Sequence, residues 1–216
     1  TGPMASVSVN VDMNITATFD EDEYRLDTMI LADGVGEGGT ISVDPEQSTY
    51  KYGDVVTLSL TLDPGWMFIG WEGEGVSGTA TTLPLTMTQS VVAVAHIAQN
   101  QYDLRIDYIN NGDDEGLGNG VIRDPERETY GYGQVVTLVA SPDLGWEFGG
   151  WGGALSGTEL TRTLEITQDN VITATFNQLK YELVVTSAGH GSVTVSPQKV
   201  YYLYGDVVTL DPVPEQ

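Results

Sequence analysis

The sequence predicts a mainly β fold made of tandem copies of one small domain. Three observations carry that prediction. First, one segment is written three times. Tyr50-Lys51-Tyr52-Gly53-Asp54-Val55-Val56-Thr57-Leu58 returns as Tyr130-Gly131-Tyr132-Gly133-Gln134-Val135-Val136-Thr137-Leu138, and again as Tyr202-Leu203-Tyr204-Gly205-Asp206-Val207-Val208-Thr209-Leu210. A fixed-period repeat decides an architecture before any other feature of a chain. Second, runs rich in Val, Thr and Tyr, such as 171–176, 181–185, 192–195 and 206–210, alternate with period two, the pattern of half-buried strands. Third, Gly-rich and Pro-containing turns separate these runs, at Asp44-Pro45, Asp124-Pro125, Ser196-Pro197 and Gly189-His190-Gly191. No helical pattern runs longer than one turn.

The repeat unit follows from alignment. Positions 49–71 match 129–151 at a constant offset of 80, with 14 of 23 residues identical. The match includes Gly65-Trp66, Phe68 and Gly70-Trp71 against Gly145-Trp146, Phe148 and Gly150-Trp151. The far end of the unit repeats as well. Val91 to Ile97 corresponds to Val171 to Phe176, and Ile15-Thr16-Ala17-Thr18-Phe19 is an earlier copy. From that strand end to the next tyrosine is always five residues: Phe19 to Tyr24, Ile97 to Tyr102, Phe176 to Tyr181. The unit is therefore about 78 residues. Residues 24–97 and 102–176 form two whole repeats. Residues 1–19 are expected to be the C-terminal hairpin of a preceding partial repeat, and residues 181–216 the N-terminal half of a further one. Each repeat should hold five or six short strands, mostly antiparallel, because the links are too short for crossover helices. The partial ends read as parts of a longer array. Alternatively they complement each other between chains, since an unfinished strand edge invites pairing.

Within a repeat, Tyr50 and Tyr52 lie two apart and are expected on one face of a strand. Trp66 and Phe68 do likewise. Trp71 falls on the other parity unless Gly70 marks a bulge that re-aims it. Trp71 and Trp151 are expected in the core, because a small domain leans on its large aromatics. The structural framework is thus Tyr50, Tyr52, Gly53, Val56 and Trp71 in the first repeat. It is Tyr130, Tyr132, Gly133, Val136 and Trp151 in the second, and Tyr202, Tyr204 and Gly205 in the last segment.

Charge narrows the function classes. The chain has 31 acidic and 8 basic residues, for a formal net charge of −23. Nucleic-acid binding needs a basic footprint, so it is excluded; anionic membrane surfaces are disfavoured for the same reason. Solubility, mutual repulsion between chains and attraction of divalent cations are favoured. With no cysteine, a disulfide scaffold, a thiol nucleophile and a cysteine metal site are all ruled out. No apolar run approaches the roughly 18 residues of a membrane-spanning helix.

Little in the chain points to catalysis. Gly73-Glu74-Gly75-Val76-Ser77-Gly78 has the dinucleotide-binding spacing, yet no helix pattern follows, and Gly152-Gly153-Ala154-Leu155-Ser156-Gly157 breaks it in the second repeat. Such a site needs a helix N-terminus for the pyrophosphate, so a β-turn is expected. His96 and His190 stand at non-equivalent positions, which excludes a repeated imidazole site and argues against zinc. A glycosidase pair needs two carboxylates across one cleft, and small β-repeats offer none. The first hairpin loops differ between repeats and are acidic. Asp33 and Glu37 in one, and Asp113, Asp114 and Glu115 in the other, are the candidate calcium ligands; the plainer expectation is a hydrated acidic loop. Asp20-Glu21-Asp22-Glu23 precedes Tyr24, but Ala98 to Gln101 and Asn177 to Lys180 carry no acid run. These links are expected to be solvated linkers.

The ordered combination of these elements resembles the divergent internalin-B B-repeat family, also called the bacterial repeat domain. The elements are Gly36-Glu37-Gly38, Pro45, Tyr50 to Leu58, Gly65 to Trp71 and the strand ending at Ile97. The second set is Gly118-Asn119-Gly120, Pro125, Tyr130 to Leu138, Gly145 to Trp151, and Val171 to Phe176. The resemblance covers essentially the whole chain. It implies a small β-rich, β-grasp-like domain, found in tandem on secreted and surface-anchored bacterial proteins, with no catalytic residues or cofactor. It departs at Ile97, in place of a terminal Phe, and at Gln134, in place of Asp. Together these readings give the expected function: a non-enzymatic extracellular segment, serving as stalk, spacer or array of a bacterial surface or filament protein. The alternatives are an adhesin-type module for glycan or protein, and a filament subunit that assembles through its terminal half-repeats. Expected partners are neighbouring repeats of the same or another copy, with a glycan or protein ligand in the adhesin case.

Overall fold

The computed structural model describes residues 4–113 and 119–215, and its regular elements there are all strands. The first repeat runs β1 (Glu23–Tyr24), β2 (Leu26–Asp33), β3 (Gly39–Asp44), β4 (Tyr50–Lys51), β5 (Val55–Leu62), β6 (Trp66–Gly73), β7 (Val76–Gly78), β8 (Thr82–Thr86) and β9 (Val91–Gln99). The second runs β10 (Gln101–Asn111), β11 (Gly120–Asp124), β12 (Thr129–Gly131), β13 (Gln134–Ser141), β14 (Trp146–Gly153), β15 (Thr161–Ile166) and β16 (Asn170–Gln178). The last segment holds β17 (Gly191–Ser196) and β18 (Thr209–Pro214). The strands outnumber the expected five or six. The Tyr-x-Tyr segment forms a short strand of its own, and the turn expected within Gly73 to Gly78 closes a small hairpin.

Among the described residues each repeat builds two larger sheets, and the first adds the two-stranded β1-β4. In the first, β2-β9-β6-β7 stands beside β3-β5-β8; in the second, β12-β10-β16-β14 stands beside β11-β13-β15. Pairing is mostly antiparallel, as expected, with one consistent exception. β2 pairs in parallel with β9, from Leu26 opposite Val91 to Asp33 opposite Ala98. β10 pairs in parallel with β16, from Leu104 opposite Asn170 to Asn111 opposite Asn177. A parallel pair needs a long crossover; here the intervening strands supply it in place of a helix.

The core lies on the inward faces of these strands. β5 buries Val56, Leu58 and Leu60, and β13 buries Val136, Leu138 and Ala140, each alternating with more exposed neighbours. β9 contributes Val91, Ala93, Ala95 and Ile97; β16 contributes Ile172, Ala174 and Phe176. The small alanines leave room for the tryptophans. Trp71 and Trp151 are buried, and Trp146 joins the core of the second repeat. The bulge expected beside Trp71 is present at the equivalent place in the second repeat. The β14–β16 register shifts between Phe148 and Gly150, which turns Trp151 inward onto Phe148 at 4.9 Å between ring centres. In the first repeat Phe68 and Trp71 meet edge to face at 5.5 Å.

Three expectations are corrected. Tyr50 and Tyr52 do not share a face: Tyr50 is 2% exposed and Tyr52 73%. The strand ends at Lys51 and the chain turns through Gly53 at φ 87°, a left-handed conformation that favours glycine. Next, the hairpin expected over 1–19 is not seen among the described residues, where 4–22 carry no strand. In a complete repeat the equivalent strands, β8 and β9, belong to different sheets and do not pair with each other. Residues 182–188 carry no strand for a related reason. Their counterpart β2 is held by a last strand, and that strand is missing from residues 181–216. Finally, residues 98–101 are not a solvated linker. β9 continues to Gln99 and β10 starts at Gln101. By contacts the chain divides into two compact units, residues 1–62 with 68–98, and residues 63–67 with 99–216.

Candidate functional site

The thrice-repeated segment makes one local structure three times. The tyrosine that follows each link pairs with the first tyrosine of the Tyr-x-Tyr segment: Tyr24 with Tyr50, Tyr102 with Tyr130, and Tyr181 with Tyr202. The two repeated features are thus cross-strand neighbours, the unit of sheet stabilisation. The first tyrosine then points inward and donates its hydroxyl to a proline carbonyl five residues back. Tyr50 reaches Pro45 O at 2.8 Å, Tyr130 reaches Pro125 O at 3.0 Å and Tyr202 reaches Pro197 O at 2.9 Å. Each hydroxyl also accepts a backbone amide, from Gln47, Arg127 and Lys199. All three prolines follow a cis peptide bond.

The residue after the turn glycine closes the turn. Asp54 Oδ2 accepts the Lys51 amide at 2.8 Å, Gln134 Oε1 the Gly131 amide at 3.2 Å, and Asp206 Oδ2 the Leu203 amide at 2.9 Å. The substitution of Gln134 for Asp therefore preserves the function of the side chain, which is to accept one hydrogen bond. Asp206 also accepts from Lys199 Nζ at 2.9 Å. The Lys199 hydrogen bond first, then the Leu203 amide, hold its carboxyl below the usual aspartate range. The folded pKa lies below the unfolded one, so this contribution to stability is present at neutral pH and lost as pH falls through the folded value. Carboxyl-carbon NMR titration will show Asp206 titrating low, and Lys199→Met will raise its pKa toward the ordinary value.

The Gly-Trp segment is structural. Trp71 Nε1 donates to Ala80 O at 2.9 Å and Trp151 Nε1 to Glu159 O at 2.8 Å. Trp146 is 7% exposed and Trp66 half-buried. Burial of Trp146 removes that ring from a glycan-stacking platform, while Trp66 lies outside the core.

The remaining candidates disperse. Asp33 ends β2 and Glu37 lies in the loop beyond it, both exposed. Asp113 accepts a hydrogen bond from the Tyr201 hydroxyl at 3.1 Å, and its amide donates to Gln178 Oε1 at 2.7 Å. Asp114 and Glu115 lie outside the described residues, as does Gly118. Among the described residues no three acidic or imidazole side chains converge on one point. Gly73 to Gly78 forms a hairpin with Gly73 opposite Val76, a strand-turn-strand that offers no helix terminus to a phosphate. His96 lies on β9 with Nε2 2.6 Å from Glu72 Oε2, and His190 is exposed beside Glu215. From the acid run, Glu21 pairs with the Lys51 ammonium, which raises the pKa of Lys51.

Sequence reasoning passed over one group of residues. Inside the second compact unit, Tyr204 lies against Gly145, and Tyr132 against Gly65. Tyr201, under the Lys180 ammonium at 4.1 Å, reaches Asp113. The available signal was that Gly65 and Gly145 repeat together with Tyr132 and Tyr204.

The model of the divergent InlB B-repeat domain matches residues 33–101 and 115–180. No curated protein is similar to the chain in sequence. Among solved structures it is similar to the Bacillus anthracis TIE protein, at 10% identity and a TM-score of 0.40, over 88% of this chain and 43% of that one.

Proposed function

Because the chain belongs to the divergent InlB B-repeat domain family, a repeat domain rather than a class of enzymes, we propose that it is a structural segment of a bacterial surface protein. It holds other parts of that protein at a distance from the cell, outside the membrane. No described helix is long and apolar enough to cross one.

One observation carries this reading: the first tyrosine and the residue after the turn glycine in each copy, and the second tryptophan of both whole repeats, are spent on the fold. Tyr50, Tyr130 and Tyr202 hold proline carbonyls; Asp54, Gln134 and Asp206 close turns; Trp71 and Trp151 fill cores. The surplus of 23 negative charges keeps neighbouring copies apart.

A second reading rests on the two strandless stretches. Val7, Val11, Ile15 and Phe19 are exposed in one, and Val184 in the other. Residues 13–19 of one copy would serve as the missing parallel partner of residues 183–188 in another, and so build a filament. Small-angle scattering of chains carrying added internal repeats tests both readings. The spacer reading expects the maximum dimension to grow by a constant increment per repeat at constant monomer mass. A dimension that fails to grow overturns it, and a mass that climbs with concentration favours the filament.

A further inference from the structure

Two of the three second tyrosines have a partner within the second compact unit. A Cβ placed on Gly145 would lie 2.5 Å from Tyr204 Cβ, and one placed on Gly65 would lie 2.1 Å from Tyr132 Cβ. Each glycine sits in an Asp-x-Gly-Trp turn, closed by Trp66 N to Asp63 O at 3.3 Å and by Trp146 N to Asp143 O at 3.0 Å. The same glycines accept a backbone amide through their carbonyls. Asn100 N reaches Gly65 O at 2.7 Å and Leu179 N reaches Gly145 O at 2.8 Å. Both donors stand two residues before the link tyrosines Tyr102 and Tyr181. The contact therefore has two fixed points, an amide on the glycine carbonyl and a tyrosine against the glycine α-carbon. Only glycine admits the tyrosine so closely, since any side chain would occupy its place.

Tyr52 is the third such tyrosine, and at 73% exposure it is the most open of them. The amide equivalent to Asn100 and Leu179 is that of Asp22, two residues before Tyr24. Both Asp-x-Gly-Trp turns of the described residues are already engaged, by Tyr132 and Tyr204. A second copy of this chain therefore brings no free turn.

We propose that Tyr52 and the Asp22 amide form a docking surface for the Asp-x-Gly-Trp turn of another repeat of this kind, joined ahead of Tyr24 through the same short link. The inference rests on the tandem-array reading and deepens it by naming the contact that joins one repeat to the next.

The test is a lengthened chain in which residues 1–176 run directly into residues 20–216, which keeps the five-residue link and places Asp22 two residues before the second-copy Tyr24. The first-copy Tyr52 is replaced (Tyr52→Phe), so that a single Tyr52 remains, placed after a complete repeat. Tyrosine nitration read by mass spectrometry reports its access. The rate at Tyr52 will fall severalfold from that in the original chain, toward the rate at Tyr132, and a first-copy Gly145→Ala will restore it. Protection of the buried Tyr50 and Tyr130 certifies that the repeats are folded. Tyr52 nitrated as fast as in the original chain, with Tyr50 protected, overturns the proposal. So does protection of Tyr52 that rises with concentration in the original chain, which would assign the surface to a second copy. Scattering on the lengthened chain judges the array reading separately, because a chain can lengthen whether or not Tyr52 is covered.

Discussion

Trp151→Ala will destabilise the second repeat by about 3–5 kcal/mol, the usual cost of truncating a buried tryptophan. The ring is 6% exposed, packs edge to face on Phe148, and satisfies the Glu159 carbonyl through Nε1. Removing it leaves a cavity, with Ala174 as its neighbour across the strands. Marginal stability makes a loss of this size decisive for so small a domain. Chemical denaturation should show a separate, earlier transition for the second repeat. A single transition at the wild-type midpoint would contradict the central place given to this ring. The equivalent exchange at Trp71 should act in the same way on the first repeat.

Tyr130→Ala will cost a similar amount, about 3–5 kcal/mol, and Tyr130→Phe about 1–3 kcal/mol. The pair separates the two contributions of one residue. The ring is fully buried in the core cluster. Its hydroxyl both donates to the Pro125 carbonyl and accepts the Arg127 amide. Phenylalanine keeps the packing and strands the two backbone groups. Equilibrium unfolding of both variants checks the difference; equal stability of Tyr130→Phe and wild type would show that water satisfies those groups.

The parts of the fold legible in the sequence were those governed by short-range periodicity. Val56, Leu58 and their counterparts Val136 and Leu138 lie inward because strand side chains alternate. Trp151 lies inward because the glycine-marked bulge breaks that alternation. The parallel pairing of first and last strands was not legible. Its register joins Leu26 to Val91, 65 positions away, and no local pattern encodes a partner that distant. Tyr52 was misplaced for a different reason. Period two holds only while a strand continues, and this one stops at Lys51. The acidic loops drew attention by varying between repeats, yet Asp113 answers to Tyr201, a contact across 88 positions. At the candidate site the division of labour among the repeated residues depended on carbonyls and glycines that carry no side-chain signal.

The parallel pairing of β2 with β9 has a consequence for how such a chain is made. The first strand of a repeat acquires its neighbour only when the last strand arrives. Closing a loop of that span costs about 4 kcal/mol in chain entropy before the pairing returns anything. Long-range closure of this kind slows folding. During synthesis a repeat therefore stays open until its final residues have left the ribosome, and it then closes as a whole. A growing array is finished one repeat at a time, with the unpaired first strand of the newest repeat exposed at its advancing end.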